Sequence, residues 1–327
     1  MTSLRPNLLK RIERLPKPTN VASAMQPLFE AISNAIHSTQ AKYGETVAHD
    51  GRVVATVFTD RKKENVSATV EDNGVGLDQT NWDAFTTTDT DNKIRMGGKG
   101  VGRLLWLDCF KEISINSVFQ GEVGLKRRSF RFMLTLEDQI MEHEIIDALG
   151  ETSTSFYAKF KGLRDNGYLE RFPGRGNFVF RHVTSHFLPT FIGGSRPHLT
   201  VHVGDETREY PRAIDEIVRR REPEIVLQTE ECGTLKLTLM ECDKIASADL
   251  KGSHFVHFIA HDSAVHSQSI DVKLGLKYFG GELDRVFHAM LTGEYLDSNV
   301  NQERTAFQFQ DAVIEQIINN ICAEHID

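Results

Sequence analysis

Two glycine-rich segments of different kinds lie close together between residues 71 and 103, and few folds accommodate both. The first, Glu71-Asp72-Asn73-Gly74-Val75-Gly76-Leu77, directly follows Val66-Ser-Ala-Thr-Val70, a β-branched run with strand character. The second, Met96-Gly-Gly-Lys-Gly-Val-Gly-Arg103, opens a stretch with Val101, Leu104, Leu105 and Leu107 at helical spacing. Taken alone, Asp-Asn-Gly is a turn signal. At a strand end, however, Asp72 also offers an acceptor to an exocyclic amine, and Gly74 and Gly76 let the backbone approach a flat ring. The free N–H groups of a helix start, open because Gly98, Gly100 and Gly102 lack β-carbons, form an anion site suited to phosphates. Lys99 adds positive charge there, and a flexible hinge is the competing account of the loop. It is not a Walker A loop, since no Lys-Ser or Lys-Thr follows the last glycine, and no strand precedes it as in a Rossmann fingerprint.

The surrounding pattern predicts an α+β fold. Residues 23–42 carry Leu28, Ala31, Ile32, Ala35 and Ile36 on one helical face. Glu30 and Asn34 are four apart and so share a face, an arrangement that on its own is more often a solvated surface. Strands are expected at 52–58, 66–70, 112–119, 128–136, 140–147 and 154–162, forming a largely antiparallel sheet with helices on one face. Residues 78–98 are polar and lack an apolar period, which predicts a mobile loop, and helices are expected at 100–110 and 177–191. After Pro211 come strands at 224–229, 234–241, 254–260 and 284–291, then a helix at 311–323. This order divides the chain into a domain at 1–215 and a smaller α+β domain at 216–327.

Length and charge narrow the function classes. At 327 residues the chain is long enough for two cores. No apolar run approaches the roughly 20 residues that span a bilayer, which predicts a cytoplasmic protein without a membrane partner. Cys109, Cys232, Cys242 and Cys322 are scattered, with no close pair for zinc or redox chemistry. The net charge of −8 disfavours nucleic acid as a direct partner. Residues 1–20 are basic, with Glu13 as their one acid, and read most simply as a solvated arm. His254 and His257 face opposite sides of a strand and cannot share an ion, so they, His261 and His266 are expected to be structural.

In order and spacing, these segments resemble the N, G1 and G2 boxes of the GHKL superfamily, over roughly residues 20–165. That superfamily includes gyrase B subunits, MutL, heat-shock ATPase chaperones, MORC proteins and sensor histidine kinases. The resemblance implies an α/β sandwich that binds ATP with Mg²⁺, followed by a transducer-like domain. It makes Glu30 the catalytic base, Asn34 the Mg²⁺ ligand and Asp72 the reader of adenine beside Gly74 and Gly76. Gly98, Lys99, Gly100, Val101, Gly102 and Arg103 become the phosphate loop, and about 78–100 a lid offering Thr86, Thr87, Thr88 and Lys93. Thr154 resembles the threonine that supports the adenine-reading Asp, although Ser153 replaces the usual glycine and Thr152 is the alternative. His37 stands where many relatives carry an Asp. Val300-Asn-Gln-Glu-Arg304 resembles a loop that reaches the γ-phosphate, which would make Arg304 catalytic; an ordinary salt bridge with Glu303 is the competing account.

What the resemblance implies as function is an ATPase acting as an ATP-gated clamp or switch, homodimeric through the arm at 1–20. DNA handling or antiviral genome defence of the MORC or MutL kind is the expected setting. The alternatives are a chaperone-like ATPase with a partner protein as client, a regulatory nucleotide-binding module, and a histidine-kinase-like phosphotransferase. The last lacks a dimerisation helix with a phosphoacceptor His before the ATP site.

Overall fold

The computed structural model describes residues 8–87, 102–192, 195–244, 253–260, 263–275, 284–300 and 307–324. These divide into two compact units, one formed by residues up to 87, 102–180 and 195–209, the other by 181–192 and the residues from 210 onward.

The first unit holds α1 (Leu8–Glu13), α2 (Val21–Tyr43), α3 (Val47–Asp50), α4 (Gln79–Thr86), α5 (Gly102–Cys109) and α6 (Tyr168–Arg171). Its strands are β1 (Arg52–Phe58), β2 (Ser67–Asp72), β3 (Phe110–Gln120), β4 (Leu125–Phe132), β5 (Ile140–Asp147), β6 (Ser155–Leu163), β7 (His198–Val203) and β8 (Glu206–Tyr210). They make one sheet in the order β5-β4-β3-β6-β2-β1-β7-β8. It is mostly antiparallel, with β1 and β7 parallel. The register places Val53 opposite Asp72, Ala55 opposite Val70 and Val57 opposite Ala68. These six residues form the buried rows of the two strands, and α2 packs against both strands. Asp72 therefore takes the last place in an otherwise apolar row.

Helix α2 begins at a capping box. The Asn20 side chain accepts from the Ser23 amide at 2.9 Å, and Ser23 Oγ accepts from the Asn20 amide at 3.1 Å, so two end donors are satisfied. Its apolar face, including Leu28, Ile32 and Ile36, is almost wholly buried. Trp106 of α5 donates from Nε1 to the Pro27 carbonyl at 3.0 Å, which fixes α5 beside α2.

The expected loop at 78–98 is corrected in its first part, because Gln79–Thr86 is helical. Asp78 caps it by accepting from the Asn81 amide at 2.8 Å. Trp82 lies edge-on to Phe130 at 5.2 Å and stacks on His143 at 4.4 Å, while Phe85 meets Phe130 and Phe132 at 5.4 and 5.1 Å. Tertiary ring contacts thus hold a helix too short to be stable by itself.

The helix α7 (Gly176–Ile192) begins in the first unit and continues into the second. The second unit contains α8 (Arg212–Asp215), β9 (Val218–Arg221), β10 (Ile225–Thr229), β11 (Gly233–Asp243), β12 (Phe255–Ala260), β13 (Ser263–Ser269), α9 (Asp271–Leu274), β14 (Arg285–Thr292), α10 (Glu294–Ser298) and α11 (Asp311–Glu324). Its sheet runs β10-β11-β14-β12-β13, and β9 also pairs with β11. Strands β9 and β10 lie along successive parts of β11, separated by Pro223, which has no N–H for the ladder. Leu235, Leu237, Val256, Phe258, Ala289 and Leu291 form the core with Ile314, Ile317, Ile318 and Ile321 of α11. Among the described residues, no helix is long and apolar enough to cross a membrane.

Candidate nucleotide site

Helix α2 carries a second stripe besides its apolar one. Glu30, Asn34, Ser38 and Lys42 follow one another at intervals of four, so they descend one side of the helix with a slow drift. From Glu30 to Ser38 the stripe covers about 12 Å along the axis at 1.5 Å per residue.

At its first end, Glu30 lies against the start of α5. Gln26 Nε2 donates to Glu30 Oε1 at 3.2 Å, and a β-carbon at Gly102 would stand 2.6 Å from Glu30 Oε2. Position 102 therefore admits only glycine while the carboxylate keeps its place. Asn34, the next member of the stripe, is half-buried. Gly98, Lys99, Gly100, Val101, Thr88, Lys93 and Arg304 lie outside the described residues. Arg103 is buried, and its guanidinium donates to the Ala84 carbonyl at 3.1 Å and the Thr87 carbonyl at 2.5 Å. It thereby joins the C-terminal end of α4 to the start of α5, with its charge on orphan carbonyls at a helix end.

At the other end lies Asp72, 3% exposed. Its Oδ1 accepts from Ser38 Oγ at 3.0 Å and from the Gly74 amide at 2.9 Å. Burial pushes the carboxyl up to about 7, against the opposing pull of the Gly74 amide, Ser38 and the Lys42 charge. Ser38 Oγ in turn accepts from the Val75 amide at 3.2 Å, so one hydroxyl holds both the carboxylate and the turn. The turn is tight. A β-carbon at Gly74 would stand 2.1 Å from Ser38 Oγ, and one at Gly76, whose φ is +74°, would stand 2.2 Å from the Val118 carbonyl oxygen. Leu77 donates its amide to Ser117 Oγ at 2.8 Å, and Ser117 donates to the Ser155 carbonyl at 2.9 Å, which ties the turn to β3 and β6.

Thr154 sits just before β6, and its hydroxyl donates to the Gly74 carbonyl rather than to Asp72. Lys42 reaches the Asn73 carbonyl at 2.7 Å, Ser153 Oγ at 2.8 Å and the Thr154 carbonyl at 3.3 Å. Asn73 donates from Nδ2 to the Asp50 carbonyl and accepts from the Arg52 amide, both at 2.8 Å. The structure thus brings Asp72, Gly74, Gly76 and Thr154 together at one end of the stripe, and Glu30 and Gly102 at the other, with Asn34 between. Sequence reasoning missed Ser38 and Lys42. Their signal was the continuation of the Glu30–Asn34 interval by two further steps.

The two ends suit different chemistry. A half-buried carboxylate beside a helix start can hold a water, and a buried carboxylate at a strand end can accept from an amine. Among the described residues, no three His, Cys, Asp or Glu side chains converge on one point. A Mg²⁺ ion bound through one protein oxygen, phosphates and waters needs no such set, so Asn34 fits that mode.

No protein-family model matches the chain, and no curated protein sequence matches it. Solved structures do. The ATPase region of Saccharomyces cerevisiae topoisomerase II is 10% identical with a TM-score of 0.50, covering 98% of this chain and 96% of that one. The same region bound to ICRF-187 (dexrazoxane) matches with 10% identity, a TM-score of 0.50 and coverage of 98% and 97%. The 43K ATPase domain of Thermus thermophilus gyrase B, in complex with an aminocoumarin, is 13% identical with a TM-score of 0.48, covering 97% and 90%. At 10% identity the likeness to the topoisomerase II regions speaks for architecture alone, and with the mostly antiparallel sheet and the second sheet-bearing unit it gives one conclusion: this chain shares the fold of the ATPase region of topoisomerase II.

Proposed function

We propose that the chain binds ATP with Mg²⁺ along the polar stripe of α2 and hydrolyses it slowly. In this reading 1–215 forms the ATP-binding domain and 216–327 a transducer-like domain. The observation that carries the reading is the placing of a carboxylate at each end of the α2 stripe, Glu30 on the helix itself and Asp72 of β2 held by Ser38, with about 12 Å of helix axis between Glu30 and Ser38. One abuts the start of α5, and the other is buried beside a glycine turn. That separation is on the scale of a nucleoside triphosphate laid along the helix.

Asp72 accepts a hydrogen bond from the adenine amine, while Gly74 and Gly76 admit the ring. Asn34 ligates Mg²⁺, which when bound neutralises phosphate charge. Glu30 orients and deprotonates the attacking water. The segment Gly98–Gly102 with Lys99 offers backbone amides and charge to the phosphates, and Thr86, Thr87, Thr88 and Lys93 belong to the lid. Phosphoryl transfer needs positioning and charge stabilisation above all, and these residues supply both. The similarity of Gly97–Arg103 and Val300–Arg304 to MORC and MutL segments supports an ATP-gated switch in DNA handling or genome defence.

The test is Glu30→Ala. Equilibrium ATP binding is expected to persist, while steady-state phosphate release falls by about 10² or more, the usual contribution of a positioned general base. Unchanged turnover would remove Glu30 from the mechanism.

A further inference from the structure

We propose that Ser38 is the positioning residue of the base site, orienting Asp72 so that Oδ1 is held by the protein and Oδ2 is left to accept from the incoming amine. This rests on the reading of Asp72 as the adenine-binding carboxylate. The resemblance assigns support of that carboxylate to Thr154, but the hydroxyl of Thr154 is directed to the Gly74 carbonyl. Ser38 takes up the task from the helix side. Its O–H donates to Asp72 Oδ1 at 3.0 Å, and the Gly74 amide donates to the same oxygen at 2.9 Å. No described residue donates to Oδ2.

The geometry makes Ser38 specific to this task. Its lone pairs accept the Val75 amide at 3.2 Å, which fixes the direction of the hydroxyl proton toward the carboxylate. Gly74 is the partner that allows the approach, since any β-carbon there would overlap Ser38 Oγ at 2.1 Å and Asp72 Oδ1 at 2.7 Å. Serine is also small enough to fit a half-buried position of α2 directly over the turn.

Ser38 also controls the charge of Asp72. An ionised carboxylate accepts from an amine, and a protonated one presents a donor to it instead. A hydroxyl donated to Oδ1 favours the ionised form, as do the Gly74 amide and Lys42 of α2. Glu71 of β2 opposes them, as does burial, which is the largest influence. Thr69 and Val70 precede on β2, and the cross-strand neighbours of Asp72, Val53 on β1 and Phe156 on β6, carry no charge. Loss of the Ser38 donor therefore raises the pH needed for amine recognition.

The experiment measures binding of ATP and of purine riboside 5′-triphosphate, which lacks the 6-amine, by calorimetry between pH 6 and 9. Parent, Ser38→Ala, Asp72→Asn and the double variant are compared. For Ser38→Ala we expect ATP affinity about tenfold lower at pH 7, the usual worth of a hydrogen bond to a charged group. Affinity for the amine-free analogue should change little. The midpoint of the pH dependence should move upward, so that the ATP deficit shrinks toward pH 9. Added to Asp72→Asn, Ser38→Ala should have no further pH effect. A thermal scan separates misfolding from lost recognition, and if Ser38→Ala melts early the analogue still reports the integrity of the site. Equal loss for both nucleotides, or an unmoved pH midpoint, overturns the role of Ser38 while leaving ATP binding intact. Absence of ATP binding by the parent, or equal ATP affinity in Asp72→Asn, fails the underlying reading instead.

Discussion

Asp72 closes the row Ala68, Val70, Asp72 on the buried face of β2, where the alternation calls for an apolar side chain. Such a placement opposes stability, and the pH dependence has a definite sign. The folded-state value, about 7, lies above the ordinary 3.8, chiefly through burial. The folded chain thus keeps a proton that the unfolded chain has released. Its contribution is fully present below about pH 4, falls as pH rises to about 7, and then stays level. Three pH units at about 1.4 kcal/mol each set a ceiling of about 4 kcal/mol on that loss. Asp72→Asn removes the ionisation and keeps an acceptor for Ser38 and Gly74. It is expected to flatten the dependence of urea stability between pH 4.5 and 7.5 and to raise stability at pH 8. The same change should weaken ATP by about 1–3 kcal/mol, since it turns a donor toward the amine. A variant with parental slope, or one less stable at pH 8, would show that Asp72 is not held against its burial.

At the scale of elements, the second unit carries the opposite pH sign. On β12 and β14, His257 and His288 are fully buried with rings nearly parallel, joined Nε2 to Nδ1 at 2.8 Å, and His257 Nδ1 meets Ser267 Oγ at 2.8 Å. His254 Nδ1 accepts from the Phe287 amide at 2.9 Å, so its ring helps seal the β12–β14 junction. Burial lowers His257 to about 3, and burial, with the neighbouring His257 and His254 rings, holds His288 well below the ordinary imidazole value. The unfolded chain therefore binds protons below about 6.5 that the folded unit refuses. The contribution is present above that pH and is lost as pH falls toward 3, by up to about 1.4 kcal/mol per pH unit for each ring. Denaturant melts from pH 7.5 to 5, followed by a probe in this unit, should show a stability decline that His257→Gln reduces. A slope unaffected by the substitution would place the acid sensitivity elsewhere. The sequence pattern made His254 and His257 structural candidates through their parity on a strand, and gave no signal for His288, which meets His257 only through the pairing of β12 with β14. The apolar stripe of α2 and most strands were legible too, from periods of 3.6 and 2. Helix α4 was not. Its eight residues have only Trp82, Ala84 and Phe85 as apolar content, and their partners Phe130 and Phe132 are distant in sequence. Strand β9, with three arginines, owes its form to pairing with β11, which no local pattern announces. Of the site, Glu30, Asn34 and the glycine turn were visible as spaced motifs. The Ser38–Asp72 contact depends on the packing of α2 over β2, which only the tertiary fold supplies.

For the whole molecule, the consequence of the proposed function is a change of association with nucleotide. The segment 301–306 is bracketed by a bridge between Val300 and Phe307, and the Gln308 amide donates to the Asn299 carbonyl at 2.7 Å. Phe307 stacks on Phe309 at 4.9 Å, and Phe309 lies 5.3 Å from Tyr295 of α10, so residues 307–309 are held against α10 by rings. Arg304 lies between these flanking residues in sequence and outside the described residues; the fork of an arginine can donate two parallel bonds to phosphate oxygens. If Arg304 meets the γ-phosphate, as the resemblance implies, the contact exists with ATP and not with ADP. That difference is what a nucleotide needs in order to shift an equilibrium between two states. Two-fold dimers are the commonest association of identical chains, and the basic segment 1–20 opposes the net charge of −8. Light scattering on Glu30→Ala, which is expected to retain ATP, should give a monomer with ADP and a dimer with ATP. Adding Arg304→Ala should shrink the response, and raised salt should weaken it if the basic arm contributes. A mass independent of nucleotide would leave an ATP-binding unit without this output. A full response without Arg304 would assign the coupling to other residues of the chain.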